Sequence, residues 1–97
     1  EIMPAAMRQG DKCSGHGCFP PRVNTSWSTN VFVNGLGWHR SGDGWSTHCC
    51  GPSCHAGSLS AGSSTVYVNG KQAGRIGDPV SCGSAGAQGS GNVYAGG

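Results

Sequence analysis

Arg8-Gln9-Gly10-Asp11, Arg40-Ser41-Gly42-Asp43 and Arg75-Ile76-Gly77-Asp78 are three copies of one pattern, Arg-x-Gly-Asp, set 32 and 35 residues apart. A second track runs in step with the first. Asn30-Val31-Phe32-Val33-Asn34-Gly35 is matched by Thr65-Val66-Tyr67-Val68-Asn69-Gly70 and by Asn92-Val93-Tyr94-Ala95-Gly96-Gly97. Two tracks repeating together mark a repeat architecture. Val-aromatic-Val reads as a short strand of β-branched and aromatic residues. Asn-Gly reads as a hairpin, because both central positions of a type I′ turn need positive φ. In Arg-x-Gly-Asp, the Gly permits a tight bend and the Asp can accept backbone N–H groups. No segment keeps a helical period over ten residues. The expected fold is therefore small and all-β, with approximate three-fold symmetry built from short hairpins.

The 97 residues suit one domain, and Gly supplies 19 of them while apolar residues reach only 35%. Ordering each residue costs roughly 1–2 kcal/mol of backbone entropy, and Gly loses most. A small domain with so thin a core usually needs a metal, disulfides or a partner. Charged residues are only 10% of the chain, and the net charge of +2 comes with no basic run. Nucleic-acid binding therefore has little electrostatic support. No stretch approaches transmembrane length and no signal-peptide core is present, so any export is expected to use another machine. Glu1 and Ile2 precede Met3 and are expected to be non-native, with Met3 the native start.

The charge inventory follows the repeat. The acidic residues are Glu1, Asp11, Asp43 and Asp78, and half of the six cations are Arg8, Arg40 and Arg75. Pairing or capping inside each unit is the expected role, since a catalytic group is rarely needed in triplicate.

Two irregular loops, 13–27 and 44–62, interrupt the pattern and hold five of the six Cys and three of the four His. The Cys are 13, 18, 49, 50, 54 and 82, and the His are 16, 39, 48 and 55. Two staples compete. Six Cys allow fifteen disulfide connectivities, yet the spacing imposes no framework and cytosol keeps thiols reduced. Zinc takes four N/S ligands in a tetrahedron and contributes directly to folding. His16 and His48 each stand five residues after a repeat Asp, so both could meet one ion on a three-fold axis. Cys82 stands four residues after Asp78, close to the third equivalent position, and His55 could descend from the long loop as the fourth ligand. His39 reads as a surface or packing residue. Cys13 and Cys18 flank His16 and could form a disulfide, stay as buried thiols or compete as ligands.

Three rival functions stand beside this. A zinc hydrolase needs an open coordination position and usually a general base, but the acids are only Glu1 and the repeat Asp residues. A zinc-dependent nucleic-acid module lacks the charge. A secreted disulfide-rich binding domain would show six half-cystines and no zinc.

Pro4-Ala5-Ala6-Met7-Arg8 with Gly10-Asp11, echoed by Arg40-x-Gly42-Asp43 and Arg75-x-Gly77-Asp78, resembles the PAAR-repeat family. So do Asn30 to Gly35, Gly62-Ser63-Ser64-Thr65 leading into Val66-Tyr67-Val68-Asn69-Gly70, and Gly89-Ser90-Gly91-Asn92-Val93-Tyr94. The first motif carries one insertion relative to Pro-Ala-Ala-Arg. Leu36-Gly37-Trp38-His39-Arg40 and Gln72-Ala73-Gly74-Arg75 depart further. The resemblance implies a cone, non-enzymatic, that caps the trimeric β-helical spike of a type VI secretion system or contractile phage tail. It implies one copy per trimer, transient contact with the target membrane, possible effector partners and no nucleic acid. The protein would be made in the cytoplasm, ride at the spike tip and be delivered to the target cell. It also implies one structural zinc near the tip held by three His and one Cys. Carried onto matching positions, these are His16, His48, His55 and Cys82, with His39 the main competitor for a middle slot.

Overall fold

The structure is a computed structural model that describes residues 3–97, so the reading of Glu1 and Ile2 lies outside the described residues. At its centre the residues preceding each repeat Arg meet. Met7 N–H donates to the Gly74 carbonyl (2.9 Å), Gly74 N–H to that of His39 (2.8 Å), and His39 N–H to that of Met7 (3.0 Å). Three backbone segments thus close a ring, one hydrogen bond per side. A second ring lies beside it. Gln9, Ser41 and Ile76 donate to the carbonyls of Gly37, Gln72 and Ala5 at 2.8–2.9 Å. The symmetry is therefore in the backbone, while the side chains at Met7, His39 and Gly74 differ completely. At Gly74 a Cβ would stand 3.0 Å from the Leu59 side chain, so that corner has no room for one.

On one side of the ring lie the hairpins. β1 (Phe32–Val33) pairs with β2 (Leu36–Gly37), and β5 (Tyr67–Val68) pairs with β6 (Lys71–Gln72), both antiparallel. Their turns are Asn34-Gly35 and Asn69-Gly70, with φ of 54°, 79°, 55° and 79°, the left-handed values a type I′ turn requires. The third unit differs from the expected hairpin. Residues 92–97 do not fold back on themselves. Instead Ala5 bridges Tyr94, and Ala6 N–H donates to the Val93 carbonyl (2.8 Å), as Trp38 does to Val31 and Ala73 to Val66 (both 3.0 Å). Pro4–Ala6 thus occupies the place that Leu36–Trp38 and Lys71–Ala73 hold in the other units, and the two ends of the chain complete the third hairpin together.

Beneath the hairpins sits an apolar layer with the same symmetry: Val33, Val68 and Ala95, with Ala6, Trp38 and Ala73. Each fully buried Val contributes about 1.5–3 kcal/mol. A belt of hydrogen bonds surrounds it. Ser28, Ser63 and Ser90 are buried, and each Oγ accepts the N–H groups two and three residues on, at 2.9–3.2 Å. Each hydroxyl also donates to the turn of the next unit: Ser28 to Asn69 Oδ1 (2.7 Å), Ser90 to Asn34 Oδ1 (2.5 Å), and Ser63 to the Gly96 carbonyl.

The repeat Arg and Asp residues pair within each unit. Arg8, Arg40 and Arg75 each grip Asp11, Asp43 and Asp78 with Nε and Nη2 at 2.8–3.1 Å, and the Arg backbone N–H also donates to the carboxylate. Such two-pronged pairs are geometrically specific. Burial pushes the Asp43 carboxyl up, but the Arg40 side chain and N–H outweigh it and hold it below the ordinary carboxylate range. The Gly of each motif has φ of 84–90°, which lets the chain reverse over three residues.

On the other side of the ring the chain makes three excursions. Each leaves at a repeat Asp and returns beside it, with Asn24, Leu59 and Gly86 donating to the carbonyls of Asp11, Asp43 and Asp78. Neighbouring excursions pair laterally: 12–14 with 85–87, 23–25 with 44–46, and 58–60 with 79–81. The wall closes on itself, so these limbs leave no unpaired lateral edge. Residues 44–62 are not the irregular loop that was expected. β3 (Gly44–Cys50) and β4 (Ser53–Ser58) form the longest hairpin, with a register shift between Trp45 and His48. Gly44, Ala56 and Gly57 are poor strand formers and Thr47 is the hairpin's single β-branched residue, so lateral pairing imposes the conformation. A second apolar cluster fills this half: Met7, Cys13, Trp45, Leu59 and Val80, with Cys82 against it.

Ser28→Ala should destabilise the protein by about 2 kcal/mol, since the N–H groups of Asn30 and Val31 lose their acceptor and the link to the Asn69 turn is lost. Chemical denaturation would read this. A second outcome concerns His39, fully buried with Nδ1–H on the Ser26 carbonyl (2.8 Å) and edge-on to Trp45. Burial pushes its pKa below the ordinary value, so it folds neutral. Its stabilising contribution is complete above about pH 6.5 and is lost as the pH falls, because the unfolded state then takes up the proton first. The stability gap between wild type and His39→Gln should narrow on acidification, by at most about 1.4 kcal/mol per pH unit. A pH-independent gap would contradict the buried neutral imidazole.

Candidate metal centre

The three excursions deliver the Cys and His side chains to one point. His16 lies on the first, His48 and His55 on β3 and β4, and Cys82 on the third. Spacing from the repeat Asp sets the height of His16, His48 and Cys82. His55 arrives by strand register, directly opposite His48. One ligand atom from each of the four lies within 4.8 Å of the others. His48 Nε2 is 2.8 Å from His55 Nε2, which is 3.0 Å from His16 Nε2, and Cys82 Sγ is 3.9 Å from His48 Nε2. Tetrahedral zinc with bonds of about 2.0–2.1 Å to nitrogen places nitrogens about 3.3 Å apart, so the imidazoles would spread by only a few tenths of an ångström to take an ion.

The chemistry of the donor set points the same way. Three Nε2 atoms converge, and one shared proton can satisfy only a pair of them. The surrounding groups select the tautomer at His48. Its Nδ1–H donates to the Pro20 carbonyl at 2.8 Å, which turns the Nε2 lone pair inward. At His55, burial first, then the neighbouring His48 and His16, hold the pKa below its ordinary value and favour the neutral, ligating form. Burial raises the Cys82 thiol, but the Ser84 N–H, Arg22 and the Ser84 hydroxyl outweigh it and leave the pKa below the ordinary thiol range. The four residues could hold a metal ion, with nitrogen and sulfur donors of the kind zinc prefers.

Other expected candidates sit elsewhere. His39 belongs to the backbone ring, packed on Trp45, and is outside the cluster. Cys13 is a buried free thiol. Cys18 pairs with Cys50 (Cα–Cα 5.4 Å), and Cys49 with its cross-strand neighbour Cys54 (4.1 Å). Alternation along β3 puts Cys50 on the same face as His48, so the Cys18–Cys50 pair stands just beyond the His cluster toward the turn. Two neighbours of the cluster were absent from the sequence-based set. Phe19 lies with its ring centre 4.7 Å from His16, 4.9 Å from His48 and 4.3 Å from His55, capping all three imidazoles. Arg22 lies beneath, with Nη2 3.2 Å from Cys82 Sγ. The sequence signal for Phe19 is a large apolar residue three positions after His16 in a Gly-Pro loop; Arg22 carries no pattern at all.

A scan against family models matches the PAAR motif over residues 20–88 and again over 55–97. The chain belongs to the PAAR motif family. A search of curated proteins found no match. The two overlapping matches reflect the internal repeat: the first spans the Arg-x-Gly-Asp units at 40–43 and 75–78 of the PAAR chain, and the second covers the latter again. The cluster of His and Cys falls in the excursions between those units, where the PAAR symmetry is weakest.

One equivalent of Zn2+ or Co2+ should bind, and chelation should lower the thermal midpoint. At metal concentrations near a thousand times Kd the stabilisation is about 4 kcal/mol. His48→Ala should abolish both binding and chelator sensitivity, whereas His39→Gln should keep both. Loss of metal in His39→Gln with retention in His48→Ala would reverse the assignment.

Proposed function

We propose that the protein is the non-enzymatic tip of a contractile injection machine, of the type VI secretion or phage-tail kind, and caps a trimeric β-helical spike. One observation carries this reading: a single chain builds a closed backbone with three equivalent faces, split by a hydrogen-bonded ring into a flat symmetric half and a half that converges on a metal-ligand cluster. A monomer with that symmetry can offer equivalent contacts to all three subunits of a trimer at once, one copy per spike.

The half remote from the cluster supplies a surface for such a partner. Phe32, Tyr67 and Tyr94 occupy the same position in the three units, and each is exposed, at 59%, 56% and 50%. Their neighbours Val33, Val68 and Ala95 point inward, so alternation along each strand sends the aromatics out. Exposed aromatics are enriched at protein interfaces. At the opposite end the reading assigns one structural Zn2+ to His16, His48, His55 and Cys82. The ion would tie together excursions that have little apolar core and so stiffen a point driven through a membrane. Four protein ligands would fill the tetrahedron, and all three Asp residues are engaged by Arg, which supports a structural rather than a hydrolytic metal. Delivery to the target cell, with effectors attached, belongs to the same reading.

Mixed with a trimeric β-helical spike, the protein should form a complex of one chain per trimer by native mass spectrometry. Replacing Phe32, Tyr67 or Tyr94 with Ser should each weaken it about 30-fold, the effect of losing roughly 2 kcal/mol at an interface centre, with the fold intact by circular dichroism. Three chains per trimer, or no complex, would overturn the capping role.

A further inference from the structure

Arg22 is the one buried cation of the described residues without a carboxylate. Arg8, Arg40 and Arg75 each hold their own Asp, and no ion pair is formed by Arg22, although it is only 6% exposed. A buried charge is costly unless it is hydrogen-bonded to compensating groups. Its partners are unusual. Nη2 points at Cys82 Sγ (3.2 Å). Nη1 lies 3.3 Å from Cys13 Sγ, 3.2 Å from His48 Nδ1 and 3.5 Å from Ser84 Oγ. With the His48 proton committed to the Pro20 carbonyl, the N–H bonds of Nη1 go to Cys13 and Ser84. The guanidinium lies 5.8 Å from the Trp45 ring centre, and a Cβ on Gly57 would stand only 3.0 Å from Nη2. The site is thus shaped around the side chain, on β4 and under the cluster.

The contacts span the whole tip. Arg22 and Cys13 belong to the first excursion, His48 to the second, and Cys82 and Ser84 to the third. A guanidinium beside a divalent ion is repulsive. Attraction to the ion therefore does not explain its place. We propose that Arg22 is the positioning residue of the metal centre: its planar fork ties the first excursion to the third beside His48 and hydrogen-bonds the Cys82 sulfur, fixing where that ligand stands before and after the ion binds. An N–H bond to a metal-bound sulfur also withdraws electron density from it, as outer-shell donors do at metal sites generally. Lys can supply one such bond but not the fork. The inference rests on the cluster being a metal site.

The test uses the full chain loaded with Co2+, whose sulfur-to-cobalt charge-transfer band reports on the Cys82 bond. Arg22→Met should bind Co2+ and Zn2+ about 10–100-fold more weakly in competition with a chelator. Its charge-transfer band should move relative to wild type. Arg22→Lys should fall between the two in both readouts, and serves as the measurement if Arg22→Met does not fold. A purely structural role would lower apo and metal-bound stability equally and leave the band unmoved. Unchanged affinity and band in the variants, or tighter binding once the cation is gone, would overturn the proposal while leaving the metal site standing. No cobalt band in the wild-type protein would overturn both.

Discussion

Three hydrogen bonds among the backbones of Met7, His39 and Gly74 hold the protein together at its axis. They join segments far apart in the chain, and each segment both donates and accepts, so none can leave without breaking two of the three bonds. Everything else is arranged by height above or below this ring. Below it, hairpins and the N- and C-terminal segments form a symmetric layer over Val33, Val68 and Ala95. Above it, three excursions leave from Arg-Asp pairs that sit at the level where the chain must reverse. The ring is made of backbone, which explains why residues as different as Met, His and Gly can occupy its corners. The Arg-x-Gly-Asp motif, next in the chain, reverses each segment through the same backbone conformation, with Gly at φ of 84–90°.

Symmetry and asymmetry have separate work. The symmetric half carries the buried serines, the Asn turns and the outward aromatics, all in triplicate. The other half uses excursions of unequal length. The longest, β3 and β4, contributes two of the four His and Cys side chains of the cluster, and the others one each. Four tetrahedral positions cannot be supplied equally by three units, so the extra ligand has to come from a broken repeat. A thin core makes that cluster valuable. The half above the ring has one small apolar cluster around Trp45 and Leu59, and the remaining side-chain cross-links are Cys pairs, Arg22 and the converging imidazoles.

Much of the symmetric half was legible in the sequence. Arg-x-Gly-Asp and Asn-Gly are local instructions: each needs a particular φ or a partner three residues away, and chain neighbours can supply it. The convergence of His16 and His48 was also readable, because equal offsets from equivalent Asp residues give equal heights, and Cys82 stands one residue short of the same offset. The third unit was not. Nothing in residues 92–97 says that their partner strand lies at the other end of the chain, since pairing of the chain ends is a closure condition of the whole ring. The β3–β4 hairpin was hidden too, because a stretch with a single β-branched residue, Thr47, takes strand form there through lateral pairing with neighbouring excursions.

By itself the sequence determined the repeat, the turn positions, the Arg–Asp pairs and the matching offsets of His16 and His48 from the repeat Asp. These depend on local geometry repeated at fixed spacing. Only the tertiary structure decided that His39 is buried packing rather than a member of the cluster, that Cys18 and Cys49 pair with Cys50 and Cys54, and that Arg22 and Phe19 enclose the imidazoles. Those outcomes depend on which limbs meet when the ring closes, and contacts between limbs have no signature along the chain.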